Sequence, residues 1–217
     1  LGLDNGIAFV NMDNLINPLF SKDSAIGTGY CSASYNGVLY FGTNQGLYVQ
    51  DNKQNYNLIK GGEGQIISLF NYDDKLFSCG DNGILIMDRN ETYKINISGA
   101  VKLLPVEKHK NKLVVVTYFG SQVIEKKNSK WQYLHTIDSS KNSDQIDKKW
   151  ANLYWQADIG DNFVKALFID EKLEHIAIKE YSIGNHKVSS NNAISIVDDN
   201  IVVCTSDGLY RYAPHND

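Results

Sequence analysis

The residues that could carry acid–base, nucleophilic or metal chemistry are spread along the chain without the spacing that such chemistry needs. The five histidines form neither an HxH nor an HExxH pattern, the spacings that place two imidazoles on one metal ion. Serines are common, but none lies in the GxSxG turn that exposes a nucleophilic hydroxyl. The patterns predict no catalytic residue, no metal ligand, no cofactor and hence no enzyme, and they leave the ligand-binding residues unassigned. The histidines are His109, His135, His175, His186 and His215.

Adjacent carboxylates are the second candidate for chemistry. Asp73-Asp74 and Asp198-Asp199 fall between apolar runs, where a solvated turn is the expected structure. No third carboxylate follows Asp73-Asp74 at the spacing of a calcium loop. Two carboxylates that the fold brings together can still act as acid and base, as in glycosidases. A glycan-active hydrolase or lyase therefore remains as the least favoured alternative.

Aromatic residues offer a different chemistry, the binding of sugars by stacking on a ring face. The chain has 13 tyrosines and three tryptophans. Aromatic residues are also typical of strands, and Tyr40, Tyr48 and Tyr210 fall at repeat positions, so we expect them to pack between blades. Trp150 lies outside the repeat and is the aromatic residue to examine for a ligand.

Cysteines and clustered glycines carry no recognisable site. Cys31, Cys79 and Cys204 are odd in number, widely spaced and free of any CxxC pair. We expect Cys79 and Cys204 to be buried thiols in different parts of the fold, with one disulfide left open as an alternative. Residues 61–64 (GGEG) are not followed by the GKS or GKT of a phosphate loop, and they predict a flexible linker.

A short phrase recurs along the chain and indicates the elements that must position these residues. Each copy has a small residue, polar residues, a Gly and an aliphatic residue, with β-prone runs on both sides. Asn-Gly and Asp-Gly in this setting predict type I′ hairpins, and the small residue predicts a tightly packed strand position. The copies are residues 2–7 (GLDNGI), 42–47 (GTNQGL), 79–84 (CGDNGI) and 204–209 (CTSDGL).

The interval between copies predicts an all-β propeller. Gly6, Gly46, Gly83 and a degenerate copy at Gly120 follow one another at intervals of 40, 37 and 37 residues. Four strands per blade require a period of roughly 40 to 50 residues. We expect about five four-stranded blades after a leading hairpin, as a propeller that either closes irregularly or is an incomplete arc. The predicted segments are a leading hairpin at 1–12, a connector at 14–23, and blades at 29–59, 66–97, 102–137, 153–178 and 193–212, with a short helix or a long loop at 138–150.

Composition limits the class of partner. The chain has 217 residues and a formal net charge of −4, with no basic patch, so contact with nucleic acid is not expected. No apolar run is long enough to span a bilayer. The chain opens on a strand-like run, with neither a signal peptide nor an initiator Met, so we expect residues 1–217 to be one propeller domain cut from a longer protein.

Several segments resemble the two-component regulator propeller repeats of bacterial sensor proteins. Within that group the likeness is to triple-tyrosine-domain transcriptional regulators, which are similar to hybrid two-component sensors. The resemblance implies a periplasmic sensor region in a membrane-anchored parent, whose output is a histidine kinase or a helix-turn-helix domain used in signal transduction and transcriptional regulation. The segments are residues 1–10, 27–48, 152–155, 170–173 and 205–212.

Three hypotheses of function follow. In the first, the chain is the ligand-sensing part of such a regulator, with a small molecule or an oligosaccharide as its ligand and a homodimer as its working state. In the second, the blades are a structural or dimerisation scaffold. The third is the glycan-active enzyme introduced above.

Overall fold

The protein is known here from a computed structural model, which describes residues 2–3, 6–9, 17–18, 26–51, 53, 55–89, 91–106, 108–138, 146–150, 153–157, 160–189, 194–198 and 200–212. Across these residues the chain forms 22 strands and no helix. None of the described segments is therefore a helix able to cross a membrane. The chain divides into two compact units, Leu1–Leu103 and Leu104–Asp217.

The first unit contains three antiparallel sheets, in which strands that follow one another in sequence are hydrogen-bonded neighbours. A leading sheet of three strands precedes two sheets of four strands, which we call blade 1 and blade 2. The leading sheet is β1 (Gly2–Leu3), β2 (Gly6–Phe9) and β3 (Asn17–Pro18); blade 1 is β4 (Gly29–Tyr35), β5 (Val38–Thr43), β6 (Gly46–Gln50) and β7 (Tyr56–Glu63); blade 2 is β8 (Ile66–Tyr72), β9 (Lys75–Gly80), β10 (Gly83–Met87) and β11 (Thr92–Ile95).

The second unit repeats the pattern, and its boundary with the first falls inside β12. Blades 3 and 4 have four strands, and blade 5 has three in the described part of the chain. Blade 3 is β12 (Ala100–Pro105), β13 (Lys112–Thr117), β14 (Gly120–Lys127) and β15 (Lys130–Asp138); blade 4 is β16 (Ile146–Trp150), β17 (Leu153–Gln156), β18 (Phe163–Ile169) and β19 (Ile176–Ser182); blade 5 is β20 (Ile194–Val197), β21 (Asn200–Thr205) and β22 (Gly208–Arg211). The predicted all-β fold of propeller blades is confirmed.

The core lies where the faces of neighbouring blades meet within each unit. Blades 1 and 2 share a cluster around Leu47, Ile66 and Leu76. Blades 3 and 4 share a second cluster, and blades 4 and 5 share a third that includes Trp155 and Val203. Burial of these apolar faces is the main favourable term for a sheet too small to be stable alone.

The predicted linker at 61–64 lies mostly in a strand, and so do the two described residues of the predicted connector at 14–23. Residues 61–63 belong to β7, and Gly62 is so closely packed that a Cβ there would lie 2.8 Å from Leu47 Cβ. Residues 61–64 are therefore not a flexible linker, because these glycines permit close packing. In the predicted connector at 14–23, β3 pairs with β2.

The segment predicted as a helix or a loop at 138–150 contains a strand. Its last five residues form β16, which pairs with β17 through a register shift between Lys148 and Trp150. The apolar spacing that suggests a helix is overridden by pairing with a neighbouring strand. The backbone of Trp150 thus lies in blade 4, and its side chain lies outside the described residues.

The hairpins differ in turn chemistry from the prediction. Gly83 pairs with Gly80, and Gly208 pairs with Thr205, so the Gly of the repeat begins the second strand and lies outside the two-residue loop. The predicted type I′ turns at these glycines are therefore wrong. Positive φ at both loop residues occurs at other hairpins, namely Asn36-Gly37, Asp73-Asp74 and Asn128-Ser129.

The repeated hairpin is closed by a buried threonine three residues before the Gly. Thr43 Oγ1 accepts the backbone N–H groups of Gln45 and Gly46 at 3.1 Å and donates to Gly46 O at 3.1 Å. Thr117 makes the equivalent bond to Gly120 O, whereas the single hydroxyl proton of Thr205 is shared between Gly208 O at 3.0 Å and Asp207 Oδ1 at 2.7 Å. All three threonines are buried. The buried hydroxyl thus supplies polar partners for the backbone groups where the hairpin loop joins the next strand.

The small residue of the repeat is confirmed as a packed position. A Cβ at Gly42 would lie 2.4 Å from Cys31 Sγ and 2.7 Å from Ile66 Cγ2, across the contact between blades 1 and 2. Cys79 is fully buried as expected, whereas Cys204 is only partly buried. All three cysteines are free thiols, so the alternative of a disulfide is excluded.

Replacing the hairpin threonine with an isosteric residue tests this role. We expect Thr43→Val to lower the free energy of unfolding by about 1–3 kcal/mol, because two backbone N–H groups lose their partner while the shape is kept. Urea unfolding measures the change. Thr43→Ser keeps the hydroxyl and Thr92→Val lies on an exposed strand position, so both should stay near the parent value. Equal loss in Thr92→Val would contradict the interpretation.

Burial also predicts unequal thiol reactivity. It raises the pKa of Cys31 and of Cys79 to about 12, so both remain protonated at pH 8, and only a thiolate reacts with alkylating reagents. We expect iodoacetamide at pH 8 to modify both thiols at least about 100-fold more slowly in the native protein than in urea. Peptide mass spectrometry locates the label, and Cys204 is the internal comparison. Rapid native labelling of Cys79 would show that blades 1 and 2 are not packed as described.

Candidate ligand-binding site

A cavity of about 340 Å³ lies between blades 4 and 5 in the second unit. Its size is at the small end of the range typical of ligand pockets, roughly 300–1,000 Å³. The lining combines aromatic rings, one histidine, one arginine and aliphatic side chains, and it includes no carboxylate. The lining residues are Val164, Tyr181, Ser182, Ile183, His186, Val203, Tyr210, Arg211 and Tyr212.

Three aromatic rings in mutual contact form one wall of the cavity. The ring centroids of Trp155 and Tyr212 are 4.8 Å apart, those of Trp155 and Tyr181 5.4 Å, and those of Tyr181 and Tyr212 5.2 Å. Trp155 lies on the inner strand β17 and is only 1% exposed. Its indole N–H is buried and has no hydrogen-bond partner in the described part of the chain. The tryptophan therefore holds the two cavity tyrosines in place from behind.

A second group of side chains closes the other side. His186 Nδ1 lies 2.7 Å from Asp207 Oδ2 and 3.0 Å from the Tyr210 hydroxyl. The rings of His186 and Tyr210 are 4.2 Å apart at an angle of 34°. The Thr205 hydroxyl donates to Asp207 Oδ1 at 2.7 Å. The hairpin threonine thus also orients the carboxylate that holds the histidine.

The segment that carries His186 is held on both sides by main-chain bonds. Ile183 N donates to Asn162 O at 2.9 Å, and Val188 N donates to Asp161 O at 2.9 Å. On the side of blade 5, Ser206 N donates to Lys187 O at 2.9 Å. A loop bound to both blades presents a largely preformed wall, which reduces the entropy lost when a ligand binds.

The two charged residues near the cavity differ in their partners, because Asp207 is hydrogen-bonded and Arg211 forms no ion pair in the described residues. The Thr205 hydroxyl and then His186 hold the pKa of Asp207 below its usual range, so this carboxylate is already committed to the wall. Burial, and next the negative charge of Asp207, raises the pKa of Tyr210. Within the described residues no carboxylate forms an ion pair with Arg211.

The other histidines hold loops. His109 Nε2 lies 2.8 Å from Glu171 O, and His135 Nε2 lies 2.6 Å from Leu173 O, so both hold the β18–β19 connection. The His175 backbone N–H donates to Asp170 Oδ1 at 3.2 Å. His215 lies outside the described residues. The prediction missed His186 as a site residue because its partners are distant in sequence.

The paired carboxylates fall in turns. Asp73 and Asp74 form the β8–β9 turn with positive φ at both residues, as expected. Asp198 has a positive φ after β20, and Asp199 lies outside the described residues. In the part of the chain that is described, no cluster of three or more His, Cys, Asp or Glu side chains could hold a metal ion.

The repeat tyrosines do not share one role. Tyr48 is buried, as packing between sheets requires, and Tyr40 is partly buried against Tyr35. Tyr210 lines the cavity instead, so its predicted packing role is incomplete. The cavity becomes apparent only when Tyr210 and Tyr212 on one blade meet Tyr181 on another.

A second cavity of about 340 Å³ in the first unit has a different character. It lies at two hairpin turns, where Tyr35 donates to Asp74 O at 2.9 Å and Asn71 donates to Ser34 O at 2.9 Å. Lys75 at its edge is paired with Asp88. Its polar groups already hold blades 1 and 2 together, which leaves the cavity between blades 4 and 5 as the better candidate site.

Comparison with solved structures places this chain among propellers. It resembles the extracellular domain of BT4673 from B. thetaiotaomicron, assigned as a hybrid two-component system, with a TM-score of 0.70 and 16% identity over 100% of this chain and 30% of that one. A second structure of that domain, assigned as a one-component system, gives 0.68 and 17% over the same shares. The chain thus spans about 30% of the length of the domain it matches. No family model matches the sequence, and no curated relative is found.

The expectation that the chain is not an enzyme, which is based on missing catalytic motifs, is wrong. The chain also resembles XC5397 from Xanthomonas campestris, a gluconolactonase, with a TM-score of 0.55 and 8% identity over 96% of this chain and 78% of that one. A protein from Bacteroides fragilis assigned as a 6-phosphogluconolactonase gives 0.55 and 9% over 92% and 69%. Propellers with this fold include enzymes, so missing sequence motifs do not exclude catalysis. At these identities the likeness shows the fold alone.

The hydrogen bonds to Asp207 lower its pKa, which predicts how protein stability depends on pH. Because the folded pKa lies below the unfolded one, they stabilise the protein above the unfolded pKa, and this stability is lost as pH falls through the folded pKa. We expect Thr205→Val and His186→Phe each to raise the Asp207 pKa, as measured by carbon-13 NMR of its carboxyl. Thr92→Val, in the other unit, should leave it unchanged. An unshifted Asp207 pKa in both site variants would contradict the described contacts.

Proposed function

We propose that this chain is the ligand-binding propeller segment of the extracytoplasmic sensor region of a bacterial signal-transduction regulator, and that its ligand is a saccharide. The observation that carries the proposal is the cavity between blades 4 and 5. Two tyrosines, backed by a buried tryptophan, form a wall suited to the apolar face of a sugar ring. Hydroxyl and imidazole groups around it suit the sugar's polar edge.

The assignment to a sensor rests on two independent supports. The sequence resembles two-component regulator propeller repeats, and the solved extracellular domain with the same fold comes from a protein assigned to the two-component or one-component systems. A periplasmic location, a membrane-anchored parent, a homodimer and a transcriptional output are part of the proposal. Residues 1–217 are proposed as one part of that longer sensor.

Binding is expected to act through the contact between blades 4 and 5. The cavity is lined by residues of both blades, from the inner strands β18 and β21 as well as the outer strands β19 and β22, so a ligand that touches both blades favours the arrangement in which they meet. A ligand shifts a conformational equilibrium only by its difference in affinity for the two states. A contact with both blades supplies such a difference.

Isothermal titration calorimetry against a panel of neutral and charged oligosaccharides tests the proposal. We expect one class of oligosaccharide to bind. The variants Tyr212→Ala and Tyr181→Phe separate the contribution of ring stacking from that of the tyrosine hydroxyl. Loss of the Tyr212 ring should weaken binding roughly three- to tenfold. Tyr181→Phe keeps the stacking surface and should change affinity less. Tyr30→Ala, at a 47% exposed residue of the first unit, is the matched control.

Two results would overturn the proposal. Absence of binding by every saccharide class would overturn the proposal that the ligand is a saccharide. Steady turnover of a sugar lactone, lost in His186→Phe but kept in Tyr30→Ala, would replace sensing with catalysis at the same cavity.

A further inference from the structure

We propose that His186 selects the ligand of the cavity between blades 4 and 5, with Nε2 of its imidazole accepting a hydrogen bond from a sugar hydroxyl. Asp207 is the positioning residue that fixes this role of the ring. The inference rests on the proposed function, because it names the chemical class of the ligand at that site. The class is a saccharide that presents a free hydroxyl, and not an ether or carbonyl oxygen, beside the face that stacks on the tyrosines.

The two ring nitrogens of His186 are engaged differently. Nδ1 lies 2.7 Å from Asp207 Oδ2 and 3.0 Å from the Tyr210 hydroxyl. Nε2 has no hydrogen-bond partner within the part of the chain that the structure describes. His186 lines the cavity, and 33% of its side chain is exposed. Nε2 is therefore the polar ring atom that is available to a ligand.

The contacts around the imidazole occupy one of its faces and its two sides. One face packs on Tyr210, with 4.2 Å between ring centroids and 34° between ring planes. The side with Nδ1 is covered by Asp207. On the opposite side, Cδ2 lies beside the Gly184 backbone, since a Cβ built on Gly184 would be 3.9 Å from it. What these contacts leave open is the second face of the ring and the tip that carries Nε2.

Asp207 determines which nitrogen of the neutral imidazole carries the proton. The Thr205 hydroxyl, and then His186, hold the pKa of Asp207 below its usual range, so the carboxylate is ionised at neutral pH. An ionised carboxylate only accepts hydrogen bonds, so Nδ1 at 2.7 Å from it must be the donor. With the proton on Nδ1, a neutral imidazole presents a lone pair at Nε2.

The acceptor is held in place before a ligand arrives. His186 and Asp207 are carried by two segments that are bonded to each other, because Ser206 N donates to Lys187 O at 2.9 Å. The Thr205 hydroxyl lies 2.7 Å from Asp207 Oδ1 and orients the carboxylate from the other side. A preformed contact of this kind reduces the entropy lost on binding.

An acceptor at this position discriminates between the polar groups of a sugar. A hydroxyl donates to Nε2, whereas an ether or carbonyl oxygen has no proton to give. A ligand with one of those groups at this position would place two acceptors against each other and leave both without a partner, which weakens binding. The tyrosine wall accepts many sugars, and the imidazole chooses among them.

Nitrogen-15 NMR of the histidine rings in the intact chain tests the placement of the proton. At about pH 9, well above the usual imidazole pKa of about 6.5, we expect His186 to carry a proton on Nδ1 and none on Nε2. Asp207→Asn should shift the ring toward the tautomer protonated on Nε2, because an amide can donate to Nδ1. A proton on Nε2 in the parent chain at this pH would overturn the inference.

Calorimetry with matched ligands tests the selectivity. The probes are the methyl glycosides of glucose, galactose, mannose and xylose, each beside derivatives in which fluorine replaces one hydroxyl. Fluorine is close to a hydroxyl in size and cannot donate a hydrogen bond. We expect at least one sugar to bind, and fluorine at one of its positions to weaken binding about tenfold.

Variants assign this preference to Nε2. His186→Asn keeps a polar group near the position of Nδ1, within reach of Asp207, but removes Nε2, so the preference for hydroxyl over fluorine should disappear. His186→Gln places an amide near the position of Nε2 and should keep part of the preference. Asp207→Asn should reduce it, because Nε2 becomes a donor. His175→Asn, at an exposed residue of the same unit, is the matched control and should bind as the parent does.

The outcomes separate this inference from the proposed function. Sugars that bind with equal affinity whether they carry hydroxyl or fluorine, and that are weakened by Tyr212→Ala but not by His186→Asn, would overturn the role of His186 and leave the saccharide site standing. A preference for hydroxyl that persists in His186→Asn would do the same. No binding by any of the sugars would overturn both.

Discussion

Each blade is a sheet of three or four strands whose inner strands bury apolar side chains against a neighbouring blade of the same unit. All residues of β9, β10 and β17 are buried, including the polar Lys75, Ser78 and Gln156, so burial does not alternate along these strands. A sheet this small has little stability by itself. The apolar contact between adjacent blades within each unit is therefore the interaction on which the fold depends.

Tight contact between blades limits what the hairpins can contain. The Asn44-Gln45 loop is exposed, but the backbone N–H of Gly46 at the start of β6 is buried, and the Thr43 hydroxyl supplies its partner. The same constraint explains Gly42, whose position leaves no space for a Cβ beside Cys31 and Ile66. Polar satisfaction and close packing are thus two consequences of burying the same strands.

A ligand site becomes possible on the outer strands, where side chains are less closely packed than on the inner strands. Outer strands such as β19 and β22 are largely exposed, and their aromatic side chains are not all needed for the core. Trp155, buried on β17, extends the core outward to Tyr181 and Tyr212, so the cavity wall rests on rigid inner strands. The site is held in place because Trp155, which contacts its tyrosines, belongs to the core. It is open because much of its lining comes from the outer strands β19 and β22.

The sequence alone determined the all-β class, the repeat interval and the approximate positions of the five blades, because β-prone runs and turn residues act over a few neighbours. It also pointed to Gly42 as a packed position. It missed the first strand of blade 4, β16, which it predicted as a helix or a loop. It misread the Gly of the repeat as part of the turn and residues 61–64 as a linker, since both depend on which strand pairs alongside. Only the tertiary structure brought His186, Asp207 and Tyr210 to one place and placed Tyr181 beside Tyr212. These residues come from separate strands and loops, and no local spacing encodes a meeting that inter-blade packing alone creates.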